Sequence, residues 1–233
     1  MPIAAVLFDL DGTLLDTLAD LAHSANRVLE SHGFDPHPES AYRYYVGEGV
    51  SVLFSRALPE PQRTDLWISR CVEDFRAVYS RHWNVSTKPY LGIPQLLDVL
   101  SSRRLRLAIL SNKPHASTEQ CAQELLPHDR FEVVLGQRDE IPRKPDPAGA
   151  WEIARRMGVP PSQFVYLGDS GIDMQTAVRA GMYPVGALWG FRTRDELTAN
   201  GAKVVIDQPM DFVRVLDALR QPAAVNAVHG GLQ

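Results

Sequence analysis

The chain has 233 residues, 45% of them hydrophobic, with 24 basic against 28 acidic residues and a formal charge of −4. That is enough apolar material for one large domain, or for a core with a smaller insertion, and it excludes a chain disordered throughout. The acidic balance and the absence of any basic run exclude nucleic acid as the expected partner, and no apolar stretch approaches a membrane span.

In chain order, residues 3–8 form a continuous apolar run that stops at Asp9 and Gly12. This suits a strand buried on both faces of a parallel sheet, and it is too short and too acidic for a signal peptide. From about Asp16 to Lys88 the pattern is helical throughout. Leu18, Leu21, Ala22, Ala25, Val28 and Leu29 share one helix face, with Gly33 placed to cap it. Shorter helices are predicted at residues 38–45 and 50–58, and a long one through Leu66, Ile68, Cys71, Val72, Phe75, Val78 and Tyr79. Pro89-Tyr90-Leu91-Gly92 then punctuates the return of the chain. Further strands are predicted at residues 105–110, 131–135, 164–167 and 185–189, alternating with helical segments. Such alternation implies right-handed crossovers and an α/β fold, a doubly wound, mostly parallel Rossmann-like sheet core. The expected division is a core of residues 1–15 and 89–221, a small all-helical insertion at 16–88, and a disordered tail at 222–233. Cys71 and Cys121, the only cysteines, have neither CxxC spacing nor a neighbouring His pattern, which suits reduced thiols in a cytoplasmic protein.

The sharpest motif is Asp9-Leu10-Asp11-Gly12-Thr13, at the carboxyl end of the first strand, where open α/β sheets form their ligand crevices. Gly12 frees the backbone to curl, so both carboxylates can face one bound atom. Read alone, the same turn serves equally as a helix cap. Ser111-Asn112-Lys113 follows residues 105–110 and precedes a helix that Pro114 can start, so it can hold an anion. Lys144-Pro145-Asp146-Pro147 precedes the 148–157 helix and can offer a point charge to phosphate. Gly168-Asp169-Ser170-Gly171-Ile172-Asp173 follows residues 164–167, with Asp173 one turn beyond Asp169. Four unrelated caps would not need carboxylates at two strand ends, a hydroxyl at a third, and a lysine. A magnesium–phosphate site does.

With these four motifs in order over residues 3 to about 190, the chain resembles the haloacid dehalogenase-like hydrolases. Asp16-Thr17-Leu18-Ala19-Asp20-Leu21-Ala22, Val46-Gly47-Glu48-Gly49 and Ser111-Asn112-Lys113-Pro114 look most like the phosphoglycolate phosphatase branch. The resemblance implies a cap at 16–88 and Asp9 as the nucleophile. Mg²⁺ is then held by the Asp9 and Asp169 side chains and the Asp11 carbonyl, with Asp173 beside them as an occasional direct ligand. Asp11 becomes the acid–base group, Ser111 and Lys144 hold the transferring phosphoryl group, and Gly12, Thr13 and Asn112 join the substrate-binding set. The implied partner is a small phosphorylated metabolite, with neither nucleic acid nor membrane; the oligomeric state is left open.

Among relatives of this kind, Asp11 disfavours dehalogenase chemistry, and no lysine between Asp16 and Thr87 could form a Schiff base. His23 lies two residues past the position a phosphomutase would use. Pyrophosphate or a phosphosugar stays open as substrate, as does a silent phosphate-binding protein. In the cap, Gly47 and Gly49 flank Glu48 in a turn where the backbone can approach a ligand. Arg43 and Arg56 bracket it, and either is expected to receive the carboxylate of phosphoglycolate.

Overall fold

A computed structural model describes residues 3–220; the tail expected at 222–233 lies outside the described residues. The first strand, β1 (Ala5–Phe8), leads through a turn to the two-residue β2 (Leu15–Asp16). Four helices follow: α1 (Leu18–Ser31), α2 (Glu39–Tyr45), α3 (Val50–Ala57) and α4 (Asp65–His82). The chain returns through β3 (Lys88–Pro89), antiparallel to β2, with Leu15 opposite Pro89 and Asp16 opposite Lys88. The helical segment therefore enters and leaves through one short paired ribbon.

The rest alternates: α5 (Ile93–Ser102), β4 (Arg106–Pro114), α6 (His115–Leu125), β5 (Phe131–Gln137), α7 (Ala148–Met157), β6 (Phe164–Gly168), α8 (Gly171–Ala180), β7 (Tyr183–Ala187), α9 (Arg194–Ala199), β8 (Val204–Ile206) and α10 (Asp211–Arg220). The main sheet is parallel throughout, in the order β5-β4-β1-β6-β7-β8. β1 is central, and the crossovers run to β4 and β5 on one side and to β6, β7 and β8 on the other. Its carboxyl end is thus a topological switch point, where ligand crevices open.

The apolar run of β1 follows from its two covered faces. Val6 and Phe8 join a core beneath α5 and α10 that extends into the helical segment, while Ala5 and Leu7 join a second core beneath α7 and α8. All four are fully buried. Besides the short strands β2 and β3, which were not predicted, further details differ from the sequence reading. β4 continues through Ser111 to Pro114 instead of ending at Leu110, and β7 spans Tyr183–Ala187, leaving Trp189 beyond its end. β8 was not predicted, since a three-residue strand carries little periodicity. Leu66, counted in the apolar pattern of α4, is exposed.

Asp20 fastens the ribbon. Buried in the first turn of α1, its carboxylate accepts from Ser86 N at 3.0 and 2.9 Å, Thr87 N at 2.8 Å and Thr87 Oγ1 at 2.7 Å. Charge-assisted bonds of this kind are roughly twice as strong as neutral ones, so the two chain crossings are held in register. Among the described residues, no helix is long and apolar enough to cross a membrane.

Candidate active site

The register sets the site. Phe8 pairs with Ile109 on one side and Leu167 on the other, so Asp9, Ser111 and Asp169 emerge together at the carboxyl ends of β1, β4 and β6. After Asp9 the chain curls tightly, with the N–H groups of Thr13, Leu14 and Leu15 converging on the Leu10 carbonyl at 3.3, 3.0 and 3.0 Å. Gly12 makes this possible: its φ is +87°, and an added Cβ would lie 2.4 Å from Asp169 Oδ2. Gly190, which the sequence reading missed, is equally constrained, since a Cβ there would meet Asp169 Cβ at 2.3 Å and the Gly12 carbonyl at 2.4 Å.

Asp9, Asp169 and Asp173 are buried, and each offers an oxygen within 4.8 Å of the others. Lys144 Nζ lies among them, 2.8 Å from Asp9 Oδ1, 2.6 Å from Asp173 Oδ1 and 3.1 Å from the Leu110 carbonyl. Its three protons are therefore all placed. Asp173 also accepts from Tyr166 Oη at 3.2 Å and from Ser170 N at 3.1 Å, which caps α8. Asp169 accepts from Thr13 Oγ1 at 3.0 Å and Phe191 N at 2.8 Å. The fully buried Thr13 side chain thus orients a carboxylate instead of facing a ligand.

Lys144 pairs with only two of the three carboxylates, Asp9 and Asp173, and the electrostatics of the trio show the surplus of negative charge. Burial, then the Asp173 carboxylate, pushes Asp9 well above the ordinary carboxylate range despite Lys144. Burial and Asp173 also push Asp169 up to about 7. A divalent cation among these oxygens would offset both the desolvation and the repulsion, so the donor set fits a hard metal ion.

Asp11 stands apart from the trio and pairs with Lys113, whose Nζ lies 3.2 Å from Asp11 Oδ1. Lys113 is buried and was not singled out as a site residue. Ser111 Oγ accepts from Lys113 N at 3.1 Å, which leaves its own proton for a ligand. Asn112 has no amide proton to spare: Nδ2 donates to the Gly47 and Lys144 carbonyls at 3.1 and 3.2 Å, and Oδ1 accepts from Lys144 N at 2.9 Å. It ties β4 to the lysine loop and to the helical segment.

Between core and helical segment lies a cavity of about 390 Å³, bordered by Asp9, Asp11, Ser111 and Lys113. Its far wall is a stripe of α4, Val72, Phe75, Arg76, Tyr79 and Ser80, at three- and four-residue spacing, continued by Trp83 just past the helix end. Neither predicted arginine borders it. Arg43 reaches the core and donates to the Gly190 carbonyl at 2.9 Å. Arg56 pairs with Glu48 and donates to the Tyr44 carbonyl at 2.9 Å. Gly47 does line the cavity, and the start of its turn is held to the core at two successive carbonyls, Gly47 by Asn112 and Val46 by Arg192, the latter at 2.9 Å. The cations that border the cavity are Lys113, Arg76 and Arg143. Arg76 could have been found from its i+3 spacing to Tyr79; Arg143, in an irregular loop, left no periodic signal.

Residues 6–187 match the family model described as haloacid dehalogenase-like hydrolase. The chain is 30% identical over 212 residues to a phosphoglycolate phosphatase of Aquifex aeolicus, covering 91% of this chain and 96% of that protein. It is also 30% identical over 222 residues to an N-acetylmuramic acid 6-phosphate phosphatase of Pseudomonas aeruginosa, covering 93% and 96%. A solved structure from Lactobacillus delbrueckii subsp. bulgaricus, described as a candidate phosphoglycolate phosphatase, superposes with a TM-score of 0.88 at 32% identity, covering 93% of this chain and 99% of that one. With the fold, the switch-point carboxylates and these likenesses in agreement, the chain belongs to the haloacid dehalogenase-like hydrolase family, in its phosphoglycolate phosphatase-like branch, and is a phosphatase.

Proposed function

We propose that this phosphatase hydrolyses a small phosphomonoester through a covalent phosphoryl group on Asp9, with a magnesium ion resident in the acidic trio and the helical segment serving as a cap. The observation that carries this reading is the convergence of Asp9, Asp169 and Lys144 at the end of β1. Lys144 fixes Asp9 Oδ1 and leaves the other oxygen free to bond phosphorus as the ester P–O bond breaks. Asp11 gives its proton to the departing oxygen and later takes one from the water that attacks the phosphorus of phosphorylated Asp9, which releases phosphate and restores the carboxylate. Ser111 Oγ–H, with the backbone N–H groups beside it, holds the transferring group. The Asp9 and Asp169 side chains and the Asp11 carbonyl would hold the ion, which supplies neutralisation of the phosphoryl oxygens when bound. Asp173 serves chiefly to hold Lys144. Thr13 and Gly12 serve the geometry of Asp169, and a cytoplasmic location accompanies the small-metabolite substrate.

Metal residence has a readout besides turnover. At a magnesium concentration 100-fold above Kd, the protein gains about 2.7 kcal/mol, roughly 5–11 °C in Tm for a domain of this size. Asp169→Asn is expected to lose that shift. In the metal-free state at pH 8 the same variant should melt no lower than the parent, because Asp169 is a raised carboxylate. The folded state holds its proton up to about pH 7 while the unfolded chain releases it near pH 4, so its contribution to stability falls as pH rises through that window. A magnesium shift equal in parent and variant, followed by differential scanning calorimetry, would remove Asp169 from the metal site.

For the substrate, we assign Arg76 and Arg143 to a distal carboxylate. Arg76 has no recorded hydrogen bond or ion pair among the described residues, and Arg143 has only a long 3.5 Å contact to the Glu48 carbonyl. The molecules named for the two relatives, phosphoglycolate and N-acetylmuramic acid 6-phosphate, are both carboxylated phosphomonoesters. Phosphoglycolate is the first reading. The cavity volume of about 390 Å³ favours an acidic phosphosugar as the second, since a two-carbon ester leaves much of it unfilled. Phosphate release from 2-phosphoglycolate, N-acetylmuramic acid 6-phosphate and p-nitrophenyl phosphate separates them. Arg76→Ala should lower kcat/KM on the carboxylated substrates by about 10- to 100-fold, the worth of one charge-assisted contact, and spare the aryl phosphate. Arg43→Ala and Arg56→Ala should affect all three alike. Equal losses for Arg76→Ala across the panel would refute the carboxylate assignment.

A further inference from the structure

Lys113 is an expensive residue to bury, because an ammonium out of water must have every proton placed. Its side chain is 5% exposed at the end of β4. Nζ reaches Asp11 Oδ1 at 3.2 Å and Oδ2 at 3.4 Å, and donates to Tyr79 Oη at 2.8 Å. It also lies 4.7 Å from the centre of the Tyr79 ring. Tyr79 comes from α4, in the helical segment. Its ring is fixed by a stack on Phe75 at 5.2 Å, and Phe75 in turn meets Phe54 edge-on at 5.8 Å.

We propose that Tyr79 and Lys113 are positioning residues that hold the Asp11 carboxyl group for its proton transfers, so that the helical segment completes the acid–base apparatus of the core. This rests on the acid–base reading of Asp11 above. Asp11 lies in the turn after β1, its side chain 19% exposed at the cavity edge, and Lys113 is its recorded side-chain partner. A carboxyl group must stand within about 2.6–3.2 Å of the oxygen it serves, so an unheld side chain would spend most of its time in unproductive rotamers. Lys113 bridges both Asp11 oxygens while Tyr79 takes a third direction of the same ammonium. Tyr79 can do so only while α4 stands over the end of β4, which makes the orientation of Asp11 depend on the placement of the helical segment.

The alternative is that Lys113 and Tyr79 only fill and satisfy the interface between the two parts. A double-mutant cycle on the full chain separates the two. Tyr79→Phe keeps the ring, its stack and its face toward the ammonium, and loses one hydroxyl. With magnesium and 2-phosphoglycolate, it should lower kcat about tenfold or more, the worth of a hydrogen bond to a charged group, with KM nearly unchanged. With p-nitrophenyl phosphate, whose leaving group needs no proton, the first-turnover burst of nitrophenol should be as fast as in the parent. Placed on Asp11→Asn, where no carboxyl group remains to be held, Tyr79→Phe should cost nothing further. An additive loss in the double variant, or no loss in Tyr79→Phe alone, would overturn the positioning role. Parent-like turnover in Asp11→Asn would instead overturn the acid–base reading on which it rests.

Discussion

Asp9→Asn is expected to eliminate turnover, by about 10⁴-fold or more, while leaving the fold standing. An amide oxygen in the same place is a poor nucleophile toward phosphorus, and no neighbouring group can substitute. Asp169 and Asp173 are engaged by Thr13, Phe191, Lys144, Tyr166 and Ser170, and Asp11 by Lys113. The substitution should not destabilise the metal-free protein at neutral pH, because it removes one of three crowded buried carboxylates. Phosphate release with magnesium, read beside a thermal melt, checks both halves. A folded Asp9→Asn protein that retained a substantial fraction of the parent rate would rule out the covalent route.

Lys144→Met is expected to have the second-largest effect, and to strike stability as well as rate. The side chain is 2% exposed and bridges Asp9 and Asp173, so removing its charge leaves two buried carboxylates facing each other. Breaking a buried pair in this way costs about 3–5 kcal/mol. The loss has a definite pH dependence. Asp9 is already raised in the folded state and rises further without Lys144, so the folded variant holds protons that the unfolded chain releases above about pH 4. The destabilisation should therefore be greatest at pH 8 and shrink toward pH 4, where both states carry neutral carboxyl groups. Urea titrations at pH 8 and pH 5 measure it, and a parent-like midpoint at pH 8 would contradict the pairing. Turnover should fall by at least about 10²-fold, since an electrostatic contact to the reacting group is lost.

The two effects differ in kind, which makes them useful together. Asp9→Asn should separate chemistry from folding, whereas Lys144→Met should couple them, because one side chain both neutralises the acids and orients the nucleophile.

The sequence by itself determined the fold class, the insertion of a helical segment between the first strand and the rest, and the four motif positions. Each of these depends on local chemistry: a strand buried on two faces must be apolar without interruption, as residues 3–8 are, and Gly12 beside Asp11 marks a backbone that must curl. Elements of two or three residues, β2, β3 and β8, were silent because they are too short to express a period. Tertiary structure alone decided which charged side chains face the cavity. Arg43 and Arg56 bracket the Gly47–Gly49 turn in sequence, yet α2 and α3 are oriented so that one reaches Gly190 and the other Glu48. Arg76 and Arg143, 67 positions apart in the chain, border the same cavity, and Lys113 meets Asp11 across 102 positions. The physical reason is that a helix or strand fixes only which residues share a face. Which partner that face meets depends on how the parallel sheet and the helical segment pack, and that free energy is summed over contacts far apart in sequence.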